Sequence, residues 1–211
     1  MPLDKACLVS CGVMTGVGAA INTARVSPGS VAVVFGCGGV GLSAIQGCRI
    51  AGARMIVAVD TMDHKLQMAR DFGATHTVNA NTTDKLVKTI IQLTEGGADV
   101  ALECVGVGAV VAQAVAVLAK GGTAVAVGVA SMDDVAPIRP VGITFGERTL
   151  TGSFFGSARP REDFPRLIGL YRSGQLKLDE MITRTYRLDE APEAFDDLAQ
   201  GRNARGVIVF G

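Results

Sequence analysis

A glycine-rich hexapeptide directly after an apolar run constrains this chain more than any other feature. Residues 31–35 read Val-Ala-Val-Val-Phe, and residues 36–41 read Gly-Cys-Gly-Gly-Val-Gly, a GxGxxG pattern. Glycine-rich chains produce this pattern by chance, so its surroundings decide what it means. A strand-like run precedes it, a helix-like segment follows it, and Asp60 closes the next apolar run nineteen residues after Gly41. Together these features match the dinucleotide-binding fingerprint.

The glycines of this loop meet the physical demands of binding a pyrophosphate. Gly36 permits the tight turn, Gly38 lets the backbone approach a pyrophosphate, and Gly41 allows the helix to pack closely on the strand. Gly39 and Val40 begin the helix, whose N-terminus offers unpaired N–H groups and partial positive charge to an anion. We therefore predict a cofactor-binding loop, with a glycine turn that binds no ligand as the alternative.

Asp60 indicates which dinucleotide binds. Its carboxylate can accept both hydroxyls of an adenosine ribose, and its charge would repel a 2′-phosphate. Residues 61–63, Thr-Met-Asp, offer no Arg to reverse that preference. The sequence therefore predicts NAD in preference to NADP. Lys65 is a second candidate for the same ribose; the alternatives are a solvated carboxylate and a solvated helix lysine.

Composition and charge favour a small ligand. The chain has 20 basic and 20 acidic residues and a formal net charge of zero. Neither sign forms a run, so nothing indicates nucleic acid or an anionic membrane surface as a partner. The first residues lack the apolar core of a signal peptide, and polar residues or glycines interrupt each longer apolar stretch. These features predict a soluble cytoplasmic protein.

The five cysteines form an odd set in a chain without a secretory signal, which argues against a disulfide framework. We expect free thiols, or one metal ligand among them. They are Cys7, Cys11, Cys37, Cys48 and Cys104.

Apolar runs alternate with helical segments, the pattern of βαβ units that feed a parallel sheet. The predicted fold class is α/β, a doubly wound, six-stranded parallel sheet of Rossmann type with strand order 3-2-1-4-5-6. The predicted strands are 31–36, 55–60, 76–78, 98–103, 122–129 and 149–155. The predicted helices are 39–51, 63–72, 82–94, 108–119 and 161–173. We expect residues 81–84 to cap a helix and the glycines at 73, 96–97 and 121–122 to follow helix ends.

Both ends of the chain lie outside that sheet. Residues 1–25 read as a linker and helix, residues 26–174 as the NAD-binding domain, and residues 175–211 as a strand, a helix over 190–200 and a strand over 207–210. The two flanks look like parts of a second domain.

Several catalytic arrangements are excluded. Neither Tyr171 nor Tyr186 has a Lys four residues later, which removes the tyrosine and lysine pair of short-chain dehydrogenases. His64 and His76 fall on the helix after Asp60 and near the third strand, so we read both as solvated or packed residues. A serine nucleophile elbow is also absent.

Residues 6–20, Ala-Cys-Leu-Val-Ser-Cys-Gly-Val-Met-Thr-Gly-Val-Gly-Ala-Ala, carry a family resemblance. Here the chain resembles the zinc-dependent medium-chain alcohol dehydrogenases, whose coenzyme domain follows a helix of this kind. Within that family it looks most like the class III-like branch, which includes formaldehyde dehydrogenases acting on thiol adducts and NDMA-dependent-type bacterial alcohol dehydrogenases, which hold their nicotinamide tightly. The resemblance covers nearly the whole chain. It continues through residues 28–41, 72–75, 97–103, 127–128, 150–156 and 204–209.

The resemblance implies a metal ligand. The family's cysteine at the position of Cys11 is one of three protein ligands to a catalytic zinc, which leaves a fourth position open for the substrate oxygen. Cys11 alone cannot bind zinc in this way, and a structural thiol is the alternative. Cys7, one helical turn earlier, could be taken as its metal partner, but the family pattern supports only Cys11.

The resemblance also implies contacts with the coenzyme. Thr15 would lie against the nicotinamide ring; Val127, Val129 and the backbone of Phe155 would position its carboxamide; and Arg205 would contact the pyrophosphate. Ordinary core packing for the valines and a solvated cation for Arg205 are the alternatives.

One departure from the family limits the expected chemistry. The family carries a β-rich, GroES-like catalytic domain ahead of this region, and that domain supplies the other two zinc ligands and the start of the proton relay. The present sequence has none of it and no Cys-x-x-Cys. We expect a C-terminal portion that binds NAD but cannot by itself oxidise an alcohol or a formaldehyde–thiol adduct.

Two other functions remain open at this point. The chain could be an NAD-binding module without zinc chemistry, or a zinc-free quinone reductase relative, which would not need Cys11. The expected partners are a small-molecule alcohol or aldehyde and a second copy of the chain. In the family, edge strands of the coenzyme domain often pair, and here the last strand or residues 136–138 would serve.

Overall fold

The computed structural model describes residues 1–210. Its main feature is a six-stranded parallel sheet with strand order β3-β2-β1-β4-β5-β6, which confirms the predicted fold class and order. The strands are β1 Val31–Phe35, β2 Met55–Asp60, β3 His76–Asn79, β4 Ala98–Glu103, β5 Leu118–Ala126 and β6 Thr149–Gly152. A separate two-stranded parallel sheet pairs β7 Ile182–Tyr186 with β8 Arg205–Ile208.

Helices cover both faces of the large sheet. The α-helices described in residues 1–210 are α1 Leu3–Leu8, α2 Met14–Gly18, α3 Gly39–Ile50, α4 Asp63–Asp71, α5 Leu86–Leu93, α6 Gly108–Ala116, α7 Pro140–Gly146, α8 Pro160–Arg172 and α9 Ala191–Ala199. Of these, α9 packs on β8 of the small sheet. Strand β1 is buried along its whole length because β2 and β4 pair with its two edges and helices cover its two faces. This placement explains why its sequence is continuously apolar.

The N-terminal helix runs from Leu3 to Thr23 and includes α1, α2 and two π-helical segments, Val9–Val13 and Ala19–Thr23. It packs tightly on α3, since a Cβ added at Gly16 would lie 2.2 Å from the Val40 carbonyl oxygen. By length and composition alone this helix could cross a membrane, yet half of its most apolar window is buried within the protein. Its apolar face therefore forms part of the core.

Strand β5 begins at Leu118, four residues earlier than predicted, and α6 ends at Ala116 instead of 119. The pairing with β4 shifts register between Ala98 and Val100, so Gly121, with φ of +78°, lies inside the strand and not after a helix. Gly97, with φ of +118°, packs against Ala119. Gly121 and Gly122 were expected to follow a helix and instead lie within β5, beside this bulge, whereas Gly96 and Gly97 follow the end of α5 as predicted.

The predicted helix over 82–94 begins only at Leu86, and the capping role of residues 81–84 is wrong. Thr83 donates its hydroxyl to the Asn79 carbonyl (2.7 Å), and the Asn79 side chain accepts the Asn81 N–H (2.9 Å), so these residues close a turn after β3. Helix α7, Pro140–Gly146, was not predicted at all, because none of its residues is buried and no apolar period marks it. Strand β6 ends at Gly152, short of residue 155.

The C-terminal strand is β8, Arg205–Ile208, two residues ahead of the predicted 207–210. Buried Asp197 of α9 organises this part of the chain, accepting hydrogen bonds from Tyr186 (2.6 Å), Arg184 (2.7 Å) and Arg202 (2.7 Å). Phe210 is 79% exposed. The domain limits at 25 and 174 stay predictions.

Replacement of Asp197 with Asn should lower the thermal unfolding midpoint at neutral pH. Hydrogen bonds from Tyr186 and Arg202 hold the pKa of the Asp197 carboxyl below its ordinary value. Its contribution is therefore fully present above pH of about 4 and is lost as the pH falls through the lower, folded-state pKa. Thermal unfolding of both proteins across this range should show the difference shrinking in acid. The exposed pair Arg187–Asp189 supplies the control Asp189→Asn, which should change little.

Candidate functional site

The glycine loop joins the carboxyl end of β1 to the N-terminus of α3. Gly36 turns with φ of +86° and donates its N–H to the Val59 carbonyl (2.8 Å). Gly38 is the N-cap of α3 and makes no side-chain capping bond. Because the first turn of a helix has no intrahelical acceptors for its N–H groups, the amides of Gly39 and Val40 are available to an anion.

Gly41 and Gly38 have different roles in the loop. A Cβ added at Gly41 would lie 1.7 Å from the Gly36 carbonyl oxygen, so this glycine lets the helix touch the turn. A Cβ at Gly38 would meet no atom within 4 Å, so the space above this residue is open. Gly41 therefore serves packing, and Gly38 leaves room for a ligand.

Asp60 binds the loop to strand β2. One carboxylate oxygen accepts the Cys37 N–H (2.7 Å), and the other accepts the N–H groups of Thr61 (2.8 Å) and Met62 (3.0 Å). Asp60 and Lys65 also line a cavity of about 330 Å³ together with Gly36 and Gly38. Its apolar wall includes Ala80, Leu86, Val105 and Val110. The structure thus brings four of the predicted site residues to one cavity.

The guanidinium of Arg205 lies between two glycines that are distant in sequence. A Cβ added at Gly12 would lie 1.5 Å from Nη2 of Arg205, and one added at Gly39 would lie 2.2 Å from Nε. Within residues 1–210 no carboxylate forms a salt bridge with this side chain. Burial lowers the pKa of the Arg205 guanidinium, and Cys11 has a smaller opposing effect. A cation without an anionic partner thus stands at the N-terminus of α3.

Three of the other predicted contacts, Val127, Val129 and Phe155, follow the carboxyl ends of β5 and β6. The turn Phe155–Ser157 packs on α2, since a Cβ at Gly156 would lie 3.0 Å from the Thr15 carbonyl oxygen, and this contact places Phe155 near Thr15. Val127 is buried just after β5 and donates its N–H to the Glu103 carbonyl (2.8 Å). Val129 is 90% exposed. Both valines follow the carboxyl end of a parallel strand, the edge where such sheets bind ligands.

Cys11 lies exposed in the π-helical segment Val9–Val13, next to Gly12. Across residues 1–210 no three His, Cys, Asp or Glu side chains converge as metal ligands. Exposed Cys7 donates its thiol to the Asp4 carbonyl (3.1 Å), and His64 contacts the Gly201 carbonyl (3.3 Å). A protein zinc site needs three or four ligands. The described residues do not form one.

The buried cysteines are unsuited to thiolate chemistry. Burial raises the pKa of Cys48 to about 12, and it raises that of Cys37 further. A thiol acts as a nucleophile or metal ligand through its thiolate, so both remain inert at neutral pH.

Two residues that shape the site carry no clear signal in the sequence. Buried Glu103 accepts the N–H groups of Val105 and Gly106 through one oxygen, each at 2.7 Å, and so holds the turn that lines the cavity. A glutamate at a strand end followed by glycine is a weak indication of this role. The contact of Gly12 with Arg205 joins the two ends of the chain, and no local pattern predicts it.

Comparisons with known proteins agree with this geometry. A family model for zinc-binding dehydrogenases matches residues 39–173. The S-(hydroxymethyl)glutathione dehydrogenase of Paracoccus denitrificans is 41% identical over 216 residues, covering 99% of this chain and 57% of the relative. The chain therefore spans a little over half the length of this curated relative.

Solved structures show the same fold. Benzyl alcohol dehydrogenase from Acinetobacter calcoaceticus superposes with a TM-score of 0.95 at 33% identity, covering 100% of this chain and 58% of that one. A structure from Sinorhizobium meliloti 1021, bound to NADP, superposes with a TM-score of 0.85 at 31% identity, covering 94% and 58%. Because the family model matches more than half of the residues, the chain belongs to the zinc-binding dehydrogenase family.

Proposed function

We propose that this chain is the NAD-binding portion of a zinc-dependent alcohol dehydrogenase. The observation that carries the proposal is the placement of Arg205 against Gly39 at the N-terminus of α3, where no carboxylate of residues 1–210 forms a salt bridge with it. A pyrophosphate would satisfy both the guanidinium and the free amides of the helix. Family membership supports the same function, since the relatives that span this chain include dehydrogenases of alcohols and of S-(hydroxymethyl)glutathione.

Residues of this chain are available for each part of NAD, from the adenine to the nicotinamide. Gly38, Gly39, Val40 and Arg205 would hold the pyrophosphate. Asp60 and Lys65 would bind the adenosine ribose, and the apolar wall of the adjoining cavity would enclose the adenine. Thr15, Val127, Val129 and Phe155 would position the nicotinamide. When bound, NAD supplies a nicotinamide ring that accepts or donates hydride at C4.

The preference for NAD over NADP rests on Asp60. Its carboxylate lines the cavity where the ribose would bind, and a 2′-phosphate there would meet a negative charge. A structural relative is bound to NADP, so the fold alone does not select the coenzyme. The choice depends on the residue at the end of β2.

The proposed reaction interconverts a small alcohol and its aldehyde, or acts on a formaldehyde–thiol adduct, with hydride passing to or from NAD. Cys11 would be one of three protein ligands to zinc, and the other two would come from residues outside those described. A second candidate function is an NAD-binding module without zinc chemistry. The observation that favours it is that residues 1–210 bring no three metal-ligating side chains together.

The same proposal includes a homodimer formed through the large sheet. Strand β6 is an edge strand that pairs only with β5, and Leu150 on it is 41% exposed. Nearby Phe145 of α7 is 81% exposed. Pairing of two β6 edges would satisfy their open backbone groups and cover apolar surface. Light scattering of the purified chain should give twice the monomer mass; a monomer at micromolar concentration would contradict this arrangement.

We also infer a cytoplasmic location. All five cysteines are free thiols, two of them exposed, which suits a reducing compartment.

A fluorescence titration with NADH tests the proposal. We expect NADH emission to rise on binding to the 211-residue chain, with saturation at one site per chain and weaker binding of NADPH. Addition of zinc and a simple alcohol to the chain with NAD should produce no NADH. Absence of NADH binding would refute the proposal, and alcohol oxidation by this chain would refute our assignment of the missing ligands.

A further inference from the structure

Gly12 lies next to the predicted metal ligand, yet its contacts are with the opposite end of the chain. A Cβ at Gly12 would lie 1.5 Å from Nη2, 2.6 Å from Cζ and 3.4 Å from Nε of Arg205. A Cβ at Gly39 would lie 2.2 Å from Nε and 2.4 Å from Cζ. The guanidinium therefore occupies the volume that side chains at both positions would take. We call this space, formed by Gly12 and Gly39, the guanidinium slot.

The backbone that leads into Arg205 is held by hydrogen bonds to β7 and α9. The side chain of Thr183 accepts the Ala204 N–H (3.1 Å) and donates to the Arg205 carbonyl (3.4 Å). Buried Asp197 accepts the Arg202 guanidinium at 2.7 Å, and Asn203 donates to the Tyr186 hydroxyl at 2.8 Å. Each of the three residues before Arg205 is therefore tied to β7 or α9. These bonds fix the backbone that carries Arg205, and the slot encloses its guanidinium.

We propose that Gly12 is a positioning residue for coenzyme binding, acting only through Arg205. This inference rests on the proposed function, in which Arg205 contacts the pyrophosphate. A guanidinium fixed before the ligand arrives loses little side-chain entropy on binding, and its planar fork suits two phosphate oxygens. The slot holds the guanidinium beside the first amides of α3. The guanidinium and these amides could therefore donate hydrogen bonds to the same pyrophosphate.

A methyl group at position 12 should move the guanidinium without unfolding the chain. The atoms it would meet belong to the far end of a flexible side chain, which can rotate away, whereas Gly16 and Gly41 face backbone atoms. We therefore expect Gly12→Ala to fold normally and to bind pyrophosphate-containing ligands less tightly. Gly169→Ala is the matched control, because it also adds one methyl to a helical glycine and meets no atom within 4 Å.

A double-mutant cycle tests the inference. Dissociation constants for NADH, ADP-ribose and adenosine would be measured for the wild-type chain, Gly12→Ala, Arg205→Gln, the double variant and Gly169→Ala, with thermal unfolding of each. Loss of a charge-assisted contact costs about ten- to a hundredfold in affinity. Gly12→Ala should lose that much for NADH and ADP-ribose and nothing for adenosine, and the double variant should bind no more weakly than Arg205→Gln.

The outcomes separate this inference from the proposed function. Unchanged NADH affinity in Gly12→Ala, with Arg205→Gln impaired, would overturn the role of Gly12 alone. Additive losses in the double variant, or an equal loss for adenosine, would show a structural effect of the methyl group and would also overturn it. Failure of the wild-type chain to bind NADH would overturn the proposed function together with the inference.

Discussion

Replacing Asp60 with Arg should weaken NADH binding by about a hundredfold or more and bring NADPH binding level with it or above it. The wild-type carboxylate can accept two ribose hydroxyls, and each hydrogen bond to a charged group contributes about 1.5–3 kcal/mol. The substitution removes both acceptors and places a cation where a 2′-phosphate would bind. Parallel titrations with NADH and NADPH measure the change.

The loss of a hydrogen bond within the protein should weaken NADH binding further. Asp60 also accepts the Cys37 N–H at 2.7 Å, so the variant frees the glycine loop from β2. Some loss of affinity for both coenzymes should therefore accompany the change in preference. Asp71→Arg makes the same charge change at an exposed residue in the last turn of α4, away from the cavity, and should leave both affinities unchanged. Equal NADH affinity in wild type and Asp60→Arg would exclude Asp60 from the ribose site.

Two glycines of the loop should respond to the same substitution in opposite ways. In Gly41→Ala the new methyl would meet the Gly36 carbonyl oxygen at 1.7 Å, so the backbone itself must move. Forcing a methyl into a packed contact costs about 3 kcal/mol, which for a chain of this size lowers the unfolding midpoint by roughly 6–12 °C. Thermal unfolding measured by circular dichroism gives this value.

Gly38→Ala is the matched partner of that variant. Its methyl meets no protein atom within 4 Å, and the φ of −75° suits alanine. Stability should change by less than about 1 kcal/mol, the cost of a weaker helix N-cap. NADH affinity should still fall at least about tenfold, because the methyl occupies the path of the pyrophosphate. A stable Gly41→Ala, or a Gly38→Ala that binds NADH normally, would contradict the division of roles between the two glycines.

The sequence predicted the sheet well because its signals are local. Buried parallel strands such as β1 are continuous apolar runs, and glycines such as Gly36 and Gly73 adopt the positive φ that a turn or helix end requires. The failures have two different causes. Strand β5 starts at Leu118 because Leu118 pairs with Ala98, which is distant in sequence, across a bulge. Helix α7 was missed because it forms on the surface, without an apolar period in its sequence.

The candidate site likewise has residues that a local sequence pattern indicates and residues that only tertiary contacts bring together. Gly36, Gly38 and Asp60 could be predicted as candidate site residues because a spacing rule connects the loop to the end of the next strand. The structure places these three and Lys65 at one cavity. The slot for Arg205 could not be predicted, because Gly12 and Gly39 meet the guanidinium only after the C-terminal strand has folded against the N-terminal helix. The metal site could not be completed, since no group of three His, Cys, Asp or Glu side chains converges within residues 1–210.

In the proposed arrangement, NAD binds across the N-terminus of α3, between Arg205 and the cavity beside Asp60. Nuclear magnetic resonance of the isotope-labelled chain during NAD addition measures which residues the coenzyme contacts. We predict the largest shifts at the amides of Gly38, Gly39 and Val40 and at the Nε–H of Arg205, with smaller ones near Lys65. Shifts confined to other parts of the chain, or none at saturating NAD, would rule out this binding site.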